Sequence, residues 1–186
     1  MNAIKLLVTL IVITSVLGCK QNNLENTTDI VTQTKEDANG FSYESVTNDP
    51  TGLRLYTLDN GLKVYLGKNE DEPKIQTLIA VRAGSTYDPE DNTGLAHYLE
   101  HMVFKGTKNR SQLDIVKEIE AVGGEINAYT TKEYTCFHTT TLREHLGLSM
   151  DVLADLVTHA KFDVADLEKE KSVVQQEIDM CAEQFE

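Results

Sequence analysis

Two histidines and a glutamate lie at helical spacing between Gly94 and Lys105, in the pattern His97-x-x-Glu100-His101. If this segment is helical, side chains three and four positions apart share one face, so all three groups project the same way. Two imidazoles one turn apart can bind one divalent ion, and a carboxylate beside them can accept a proton from water. The pattern reverses the His-Glu-x-x-His order and is itself a known catalytic zinc motif.

The same five residues also have an ordinary structural interpretation. They would fit an amphipathic helix whose histidines are hydrogen-bonded by their neighbours. A catalytic zinc site needs a third ligand and an open fourth position on the ion, whereas a packing helix needs neither. The choice between a zinc site and a packing helix therefore depends on whether the rest of the chain supplies a third ligand and a β-sheet that leads into this helix.

The sequence around the motif predicts strands before it, and both helices and strands after it. Turn residues with alternating apolar positions indicate the strands, and capping residues with apolar residues at helical spacing indicate the helices. Thr93 is placed to cap the helix of the motif. This order predicts an α+β fold with helices packed on an antiparallel sheet. The predicted elements are strands at 53–58, 62–66, 75–82, 125–131 and 133–142, and helices at 111–122, 144–160 and from 164 onwards.

Length and composition limit the possible functions. A chain of 186 residues with a hydrophobic content of 40% fits one globular domain preceded by a leader. Its 17 basic and 30 acidic residues give a net charge of -13, and this charge repels phosphate backbones. The balance argues against nucleic acid as a partner.

The first 50 residues differ from the rest. Residues 1–18 have one early cation and then an apolar run too short to span a membrane, which is typical of a secretory signal. The run ends at Gly18-Cys19 and resembles a bacterial lipobox, although Leu17 is larger than the residue usual there. We therefore expect an exported protein of the bacterial periplasm or cell envelope, anchored to a membrane by a lipid on Cys19. The polar segment 19–50 is predicted to be a disordered tether.

Five blocks of sequence, taken in order, resemble the zinc peptidases of family M16, which includes pitrilysin, insulin-degrading enzyme and mitochondrial processing peptidase. The resemblance is to their N-terminal catalytic domain and covers about residues 53–180. It implies one such domain at 51–186, incomplete at its C-terminal end. The blocks are Leu58–Val64, Arg82–Ser85, Gly94–Thr107, Gly123–Thr130 and Glu170–Ile178.

The resemblance implies further site residues. In the family the third zinc ligand is a glutamate on a later helix, in a run that matches Val-Gln-Gln-Glu-Ile here, so the matching ligand is Glu177. Glu170 matches a carboxylate near the metal, where it would hold a ligand imidazole by its second nitrogen. Asn127 and Ala128 match the edge strand with which the family holds a peptide backbone.

The implied function is that of a zinc metalloendopeptidase acting on peptides or unfolded proteins. One Zn²⁺ would be bound by His97, His101 and Glu177, with Glu100 as the general base. Family members close a second domain of the same type around the peptide, so this chain is expected to need a second M16-type domain or subunit. The alternative is an inactive or incomplete peptide-binding subunit; the presence of Glu100 favours the enzyme.

The remaining cysteines and histidines receive no catalytic role. Cys136 and Cys181 are expected to be buried apolar groups, and their distance in sequence leaves open whether they are paired. A further interpretation, that Cys181 approaches the metal one turn after Glu177, rests on helical spacing alone. The other histidines, at 138, 145 and 159, match no ligand position.

Overall fold

The structure is a computed structural model that describes residues 30–183, with side chains described as far as residue 180. The predicted secretory segment 1–18, Cys19 and the side chain of Cys181 lie outside the described residues. None of the helices between residues 30 and 183 combines the length and the apolarity that crossing a membrane requires.

The described residues form two compact units that meet in sequence at residue 70. The first contains a four-stranded antiparallel sheet in the order β1-β2-β3-β4, and the second a three-stranded antiparallel sheet in the order β5-β7-β6 together with the helices. The elements are β1 (Thr32–Glu36), β2 (Ser42–Val46), β3 (Arg54–Thr57), β4 (Lys63–Leu66), β5 (Lys74–Val81), α1 (Leu95–Val103), α2 (Gln112–Glu120), β6 (Glu125–Thr130), β7 (Thr135–Leu142), α3 (Leu146–His159) and α4 (Val164–Glu183).

The tether prediction for residues 19–50 is wrong where β1 and β2 form a hairpin. Asp37 accepts hydrogen bonds from two backbone amides of its turn, and Tyr43 of β2 packs against Tyr56 of β3 with ring centroids 5.4 Å apart. The guanidinium of Arg54 lies 5.1 Å from the centroid of the Tyr43 ring. Cross-strand pairs of this kind stabilise a sheet that has no large apolar core. A prediction of disorder from low apolar content does not take such pairs into account.

The first unit also contains residues 51–69, which the sequence had predicted to belong to the same domain as the histidine motif. Strands β3 and β4 pair with each other, and β3 pairs with β2. Residues 51–69 therefore lie in the first unit, while the motif lies in the second.

The second unit has the predicted α+β architecture. Strand β7 lies between β5 and β6 and is antiparallel to both. Its inward side chains pack against α2 and α3, so the core lies on one face of the sheet. The predicted capping box at the start of α2 is confirmed, because Ser111 and Asp114 bond to each other's backbone amides. The core residues are Ile115, Ile119, Phe137, Val152, Leu153 and Leu156.

A buried carboxylate ties the loop after α1 to α3. Asp155, only 4% exposed, accepts hydrogen bonds from Thr107 Oγ1 at 2.6 Å, Asn109 Nδ2 at 2.6 Å and Arg110 Nη1 at 3.0 Å. Burial would raise the pKa of Asp155, but these hydrogen bonds and the charge of Arg110 outweigh burial and lower that pKa. Asp155 is therefore ionised in the folded protein and fixes where the chain leaves α1.

Candidate metal centre and catalytic site

Helix α1, which carries the motif, is capped by a residue that the sequence did not indicate. Its N-cap is Gly94, whose φ of 91° lies in the left-handed region that favours glycine, and no side chain of the cap residue bonds to the helix. Asp88 instead accepts hydrogen bonds from the amides of Gly94 at 2.7 Å and Ala96 at 2.9 Å. The prediction of Thr93 as the cap is wrong, because a loop brings a carboxylate from six residues upstream.

Three side chains from two helices converge at the centre of the site. Nε2 of His97 lies 3.1 Å from Nε2 of His101, and each of these nitrogens lies 3.5 Å from Oε2 of Glu177. Tetrahedral zinc with bonds of about 2.0–2.1 Å would hold its donor atoms about 3.3 Å apart. The three donor atoms, called the donor triangle below, therefore fit the geometry of that ion.

Glu170 determines which nitrogen of His101 faces the triangle. Its Oε1 lies 2.9 Å from His101 Nδ1, and because an ionised carboxylate can only accept, Nδ1 carries the hydrogen. Nε2 is then left with a lone pair directed at the triangle, as a metal ligand requires. The second oxygen of Glu170 lies 2.5 Å from Lys105 Nζ.

The pair of contacts keeps Glu170 ionised although it is only 6% exposed. Burial would raise the pKa of Glu170, but Lys105 and His101 outweigh burial and hold that pKa below its ordinary value. Sequence reasoning gave Lys105 no role. No spacing rule indicated it, because α1 ends at Val103 and Lys105 lies in the turn that follows.

Helix α4 supplies both glutamates and is held to α1 directly. Glu170 and Glu177 are seven residues apart and share one face of α4, and the hydroxyl of Tyr98 on α1 donates to the carbonyl of Leu167 at 2.5 Å. The side chains of His97 and Glu177 remain 35% and 45% exposed, whereas that of His101 is 18% exposed. The triangle is thus anchored on the His101 side and open to solvent on the other.

Glu100, on the same helix as the two histidines, contacts β6. Its Oε2 accepts a hydrogen bond from Oγ1 of Thr130, the last residue of β6, at 2.5 Å. Helix α1 thus reaches α4 through its histidines and β6 through Glu100. Thr130 was not predicted as a site residue. No spacing rule joins residues 30 positions apart, and the contact depends on how α1 packs on the sheet.

Strand β6 leaves one edge unpaired within the described part of the second unit. The amide of Thr131 donates to the carbonyl of Tyr134, and hydrogen-bonded pairs alternate along an antiparallel ladder, so the backbone groups of Asn127 face β7 and those of Ala128 face the free edge. The amide of Ala128 is bonded at 2.8 Å by Oδ1 of Asn127. The predicted peptide-binding residues thus lie at an edge that an extended chain could extend.

The other histidines and cysteines stand apart from the donor triangle. His159 Nδ1 lies 3.2 Å from Asp155 Oδ1, and His138 packs against Tyr129. Cys136 is buried and forms no disulfide with another residue whose side chain the structure describes. Among the described residues, the triangle is the one group of three or more histidine, cysteine or acidic side chains close enough to hold a metal ion.

Comparison with known proteins identifies relatives of this chain. The family described as Insulinase (Peptidase family M16) matches residues 63–186. The chain is 39% identical over 128 residues to the uncharacterized zinc protease YmxG of Bacillus subtilis, covering 69% of this chain and 31% of that protein. It is 39% identical over 127 residues to mitochondrial-processing peptidase subunit beta of Bos taurus, covering 67% of this chain and 25% of that protein.

A solved structure agrees with these matches. The crystal structure of pitrilysin superposes with a TM-score of 0.64 at 30% identity, over 82% of this chain and 16% of pitrilysin. This chain spans less than a third of the length of the two curated relatives.

Proposed function

The chain belongs to the M16 (insulinase) family of peptidases, and from the geometry of its donor triangle we propose that it forms the zinc-binding catalytic part of a metalloendopeptidase. One zinc ion would be bound by His97, His101 and Glu177. Glu100 would act as the general base in the hydrolysis of extended peptides. Its relative YmxG is named a zinc protease, which supports this general activity.

The donor triangle is the observation that carries the proposal. Packing alone gives no reason for two imidazole nitrogens and a carboxylate oxygen from separate helices to converge with sides of 3.1–3.5 Å. A buried carboxylate bonded to the far nitrogen of His101 is the usual support of a metal-binding imidazole. Three protein ligands would leave a fourth position open, as in catalytic zinc sites.

The chain's own residues would divide the chemistry between them. When bound, zinc supplies Lewis-acid polarisation of the scissile carbonyl and a lower pKa for water. The carboxylate of Glu100 would accept the proton of the attacking water and pass it to the leaving amine. The free edge of β6, at Ala128, would bind the peptide backbone through main-chain hydrogen bonds and so accept many sequences.

We propose further that hydrolysis uses a second M16-type domain or subunit. The side chains of His97 and Glu177 are 35% and 45% exposed, whereas electrostatic catalysis is strongest where water is excluded. A covering domain would exclude that water. The relative named mitochondrial-processing peptidase subunit beta supports this proposal, since its name describes one subunit of an assembly.

Removing one ligand tests the metal site. We expect the wild-type protein to bind about one zinc ion, and His101→Ala to lose at least about 100-fold in zinc affinity, because even supporting residues cost 10- to 100-fold. Metal analysis after dialysis against zinc buffers would measure both. His145→Ala is the matched control, because that histidine lies beside Glu144 and outside the triangle. Equal zinc content in wild type and His101→Ala would contradict the site.

We also propose export and lipid anchoring at Cys19, from the apolar segment and Gly18-Cys19 that precede the described residues. The mature protein, expressed in a bacterium, is expected to begin at Cys19 and to carry the added mass of acyl chains in the membrane fraction. Cys19→Ser should abolish the added mass, and Cys136→Ser should keep it. An unacylated mature wild type would rule out the anchor.

A further inference from the structure

The hydroxyl of Thr130 makes a contact that the proposed zinc chemistry does not explain. It donates to Oε2 of Glu100 at 2.5 Å and joins α1 to the last residue of β6. Behind it, Oγ1 of Thr135 lies 3.2 Å from Oγ1 of Thr130 and donates to the carbonyl of Ala83 at 2.7 Å. Thr130, Thr135 and the carbonyl of Ala83 thus form a row of polar groups that ends at the carboxylate of Glu100.

We propose that Thr130 is the positioning residue for Glu100, and that through it the strand that docks the peptide also sets the place of the general base. The inference rests on the proposed function, because it assigns a role within that reaction. The role of Thr130 concerns the orientation of the Glu100 carboxylate and does not involve the zinc ligands.

A glutamate on a helix needs such a restraint if it is to act as a base. Its side chain has several rotamers, and ordering it costs conformational entropy. A general base must lie within hydrogen-bond reach of the proton that it takes, at about 2.6–3.2 Å. The bond to Thr130 occupies Oε2 of Glu100 and leaves Oε1 for the water.

Thr130 is suited to this task by its own restraints. A hydroxyl carries a single hydrogen, and here that hydrogen is given to Glu100. Threonine is branched at Cβ, so its χ1 is restricted, and Thr135 beside it is 6% exposed. The position of the Thr130 hydroxyl is therefore fixed independently of its bond to Glu100.

The position of Thr130 on β6 links two parts of the reaction. Ala128, two residues earlier, directs its backbone groups to the free edge where a peptide would pair. A shift of β6 would move the docked peptide and the carboxylate of Glu100 together. The distance between base and peptide is thereby fixed by one strand instead of by two independent elements.

Three threonine variants of the zinc-loaded whole protein test the inference. Thr130→Val keeps the shape but removes the hydroxyl, and we expect kcat to fall about 10- to 100-fold, the cost of a small misplacement, with KM and zinc content unchanged. Thr130→Ser restores the hydroxyl and should recover most of kcat. The matched control is Thr139→Val, because the Thr139 side chain is fully buried and its hydroxyl has no hydrogen-bond partner among residues 30–183; its kcat should stay at the wild-type value. Wild-type kcat in Thr130→Val, or an equal fall in Thr139→Val, would overturn the inference.

A second measurement does not depend on hydrolysis. In a cycle of Thr130→Val and Glu100→Ala on the metal-free protein, the shift of the urea midpoint in the double variant should be smaller than the sum of the single shifts. Additive shifts would overturn the link between Thr130 and Glu100. If the wild type binds zinc but cleaves no peptide, the proposed function fails, and this cycle still decides whether Thr130 holds Glu100.

Discussion

Replacing Glu100 by glutamine is expected to remove peptide hydrolysis while zinc binding persists. Glutamine has nearly the shape of glutamate, and its amide oxygen can still accept the hydrogen bond from Thr130, but it cannot take up the proton of water. General-base catalysis contributes about 10²- to 10⁴-fold, so the rate should fall by that factor. Initial rates with an extended peptide and metal analysis of the same samples would measure both effects.

The control for this experiment is Glu120→Gln. Glu120 is an exposed residue at the end of α2, and its substitution changes the net charge by the same amount without touching the site. Equal cleavage by Glu100→Gln and the wild type would exclude Glu100 as the base. A wild type that binds zinc and peptide without cleaving would instead favour the peptide-binding subunit, the alternative that the sequence left open.

The parts of the site that the sequence predicted are those that local geometry fixes. His97 and His101 face one another because residues four apart on a helix must do so. Glu177, on another helix, could be named only by resemblance, since 76 positions separate it from His101 and no local rule spans that distance. Thr130 was missed for the same reason, since the resemblance covered its position but assigned it no role. Lys105 was missed because it lies beyond the end of α1, where helical spacing no longer applies.

The fold shows the same division between local and distant effects. The capping box of Ser111 and Asp114 was predictable because both partners lie within one helical turn. The cap of α1 was not, because Asp88 reaches Gly94 only through the path of a loop. The strands of the hairpin β1–β2 could not be predicted from the sequence. The hairpin has little apolar content, and its stability depends on cross-strand contacts with residues further along the chain.

Replacing Asp155 by alanine is expected to cause a large loss of stability, about 3 kcal/mol in the free energy of unfolding. Removing one partner of a buried charge pair typically costs 3–5 kcal/mol, and Arg110 would keep its bonds to Glu118 and Asp151, which places the loss near the lower end. Thr107 and Asn109 would lose their acceptor as well. Urea unfolding followed by circular dichroism on the metal-free protein would measure the change.

The matched control is Asp151→Ala. Asp151 also bonds to Arg110, but its side chain is 69% exposed, and exposed ion pairs contribute about 1 kcal/mol or less. An Asp151→Ala loss as large as that of Asp155→Ala would show that Arg110, and not the buried carboxylate, organises the cluster. The two variants also differ in how far the loop at Thr107 should loosen, since Asp155 accepts hydrogen bonds from the side chains of Thr107 and Asn109, whereas the side chain of Asp151, among the described residues, bonds only to Arg110.

The pH dependence of the Asp155→Ala effect has a defined sign. The pKa of Asp155 is lowered in the folded protein from its ordinary value of 3.8, so the unfolded chain takes up the proton first as the pH falls. The stabilisation by this carboxylate is therefore complete well above pH 3.8 and is lost as the pH falls through the lower folded pKa. The stability gap between wild type and Asp155→Ala should be constant near neutral pH and narrow below about pH 4. A gap of unchanged size in strong acid would mean that the ionised carboxylate does not hold the loop to α3, and that the loss comes from the cavity left by the side chain.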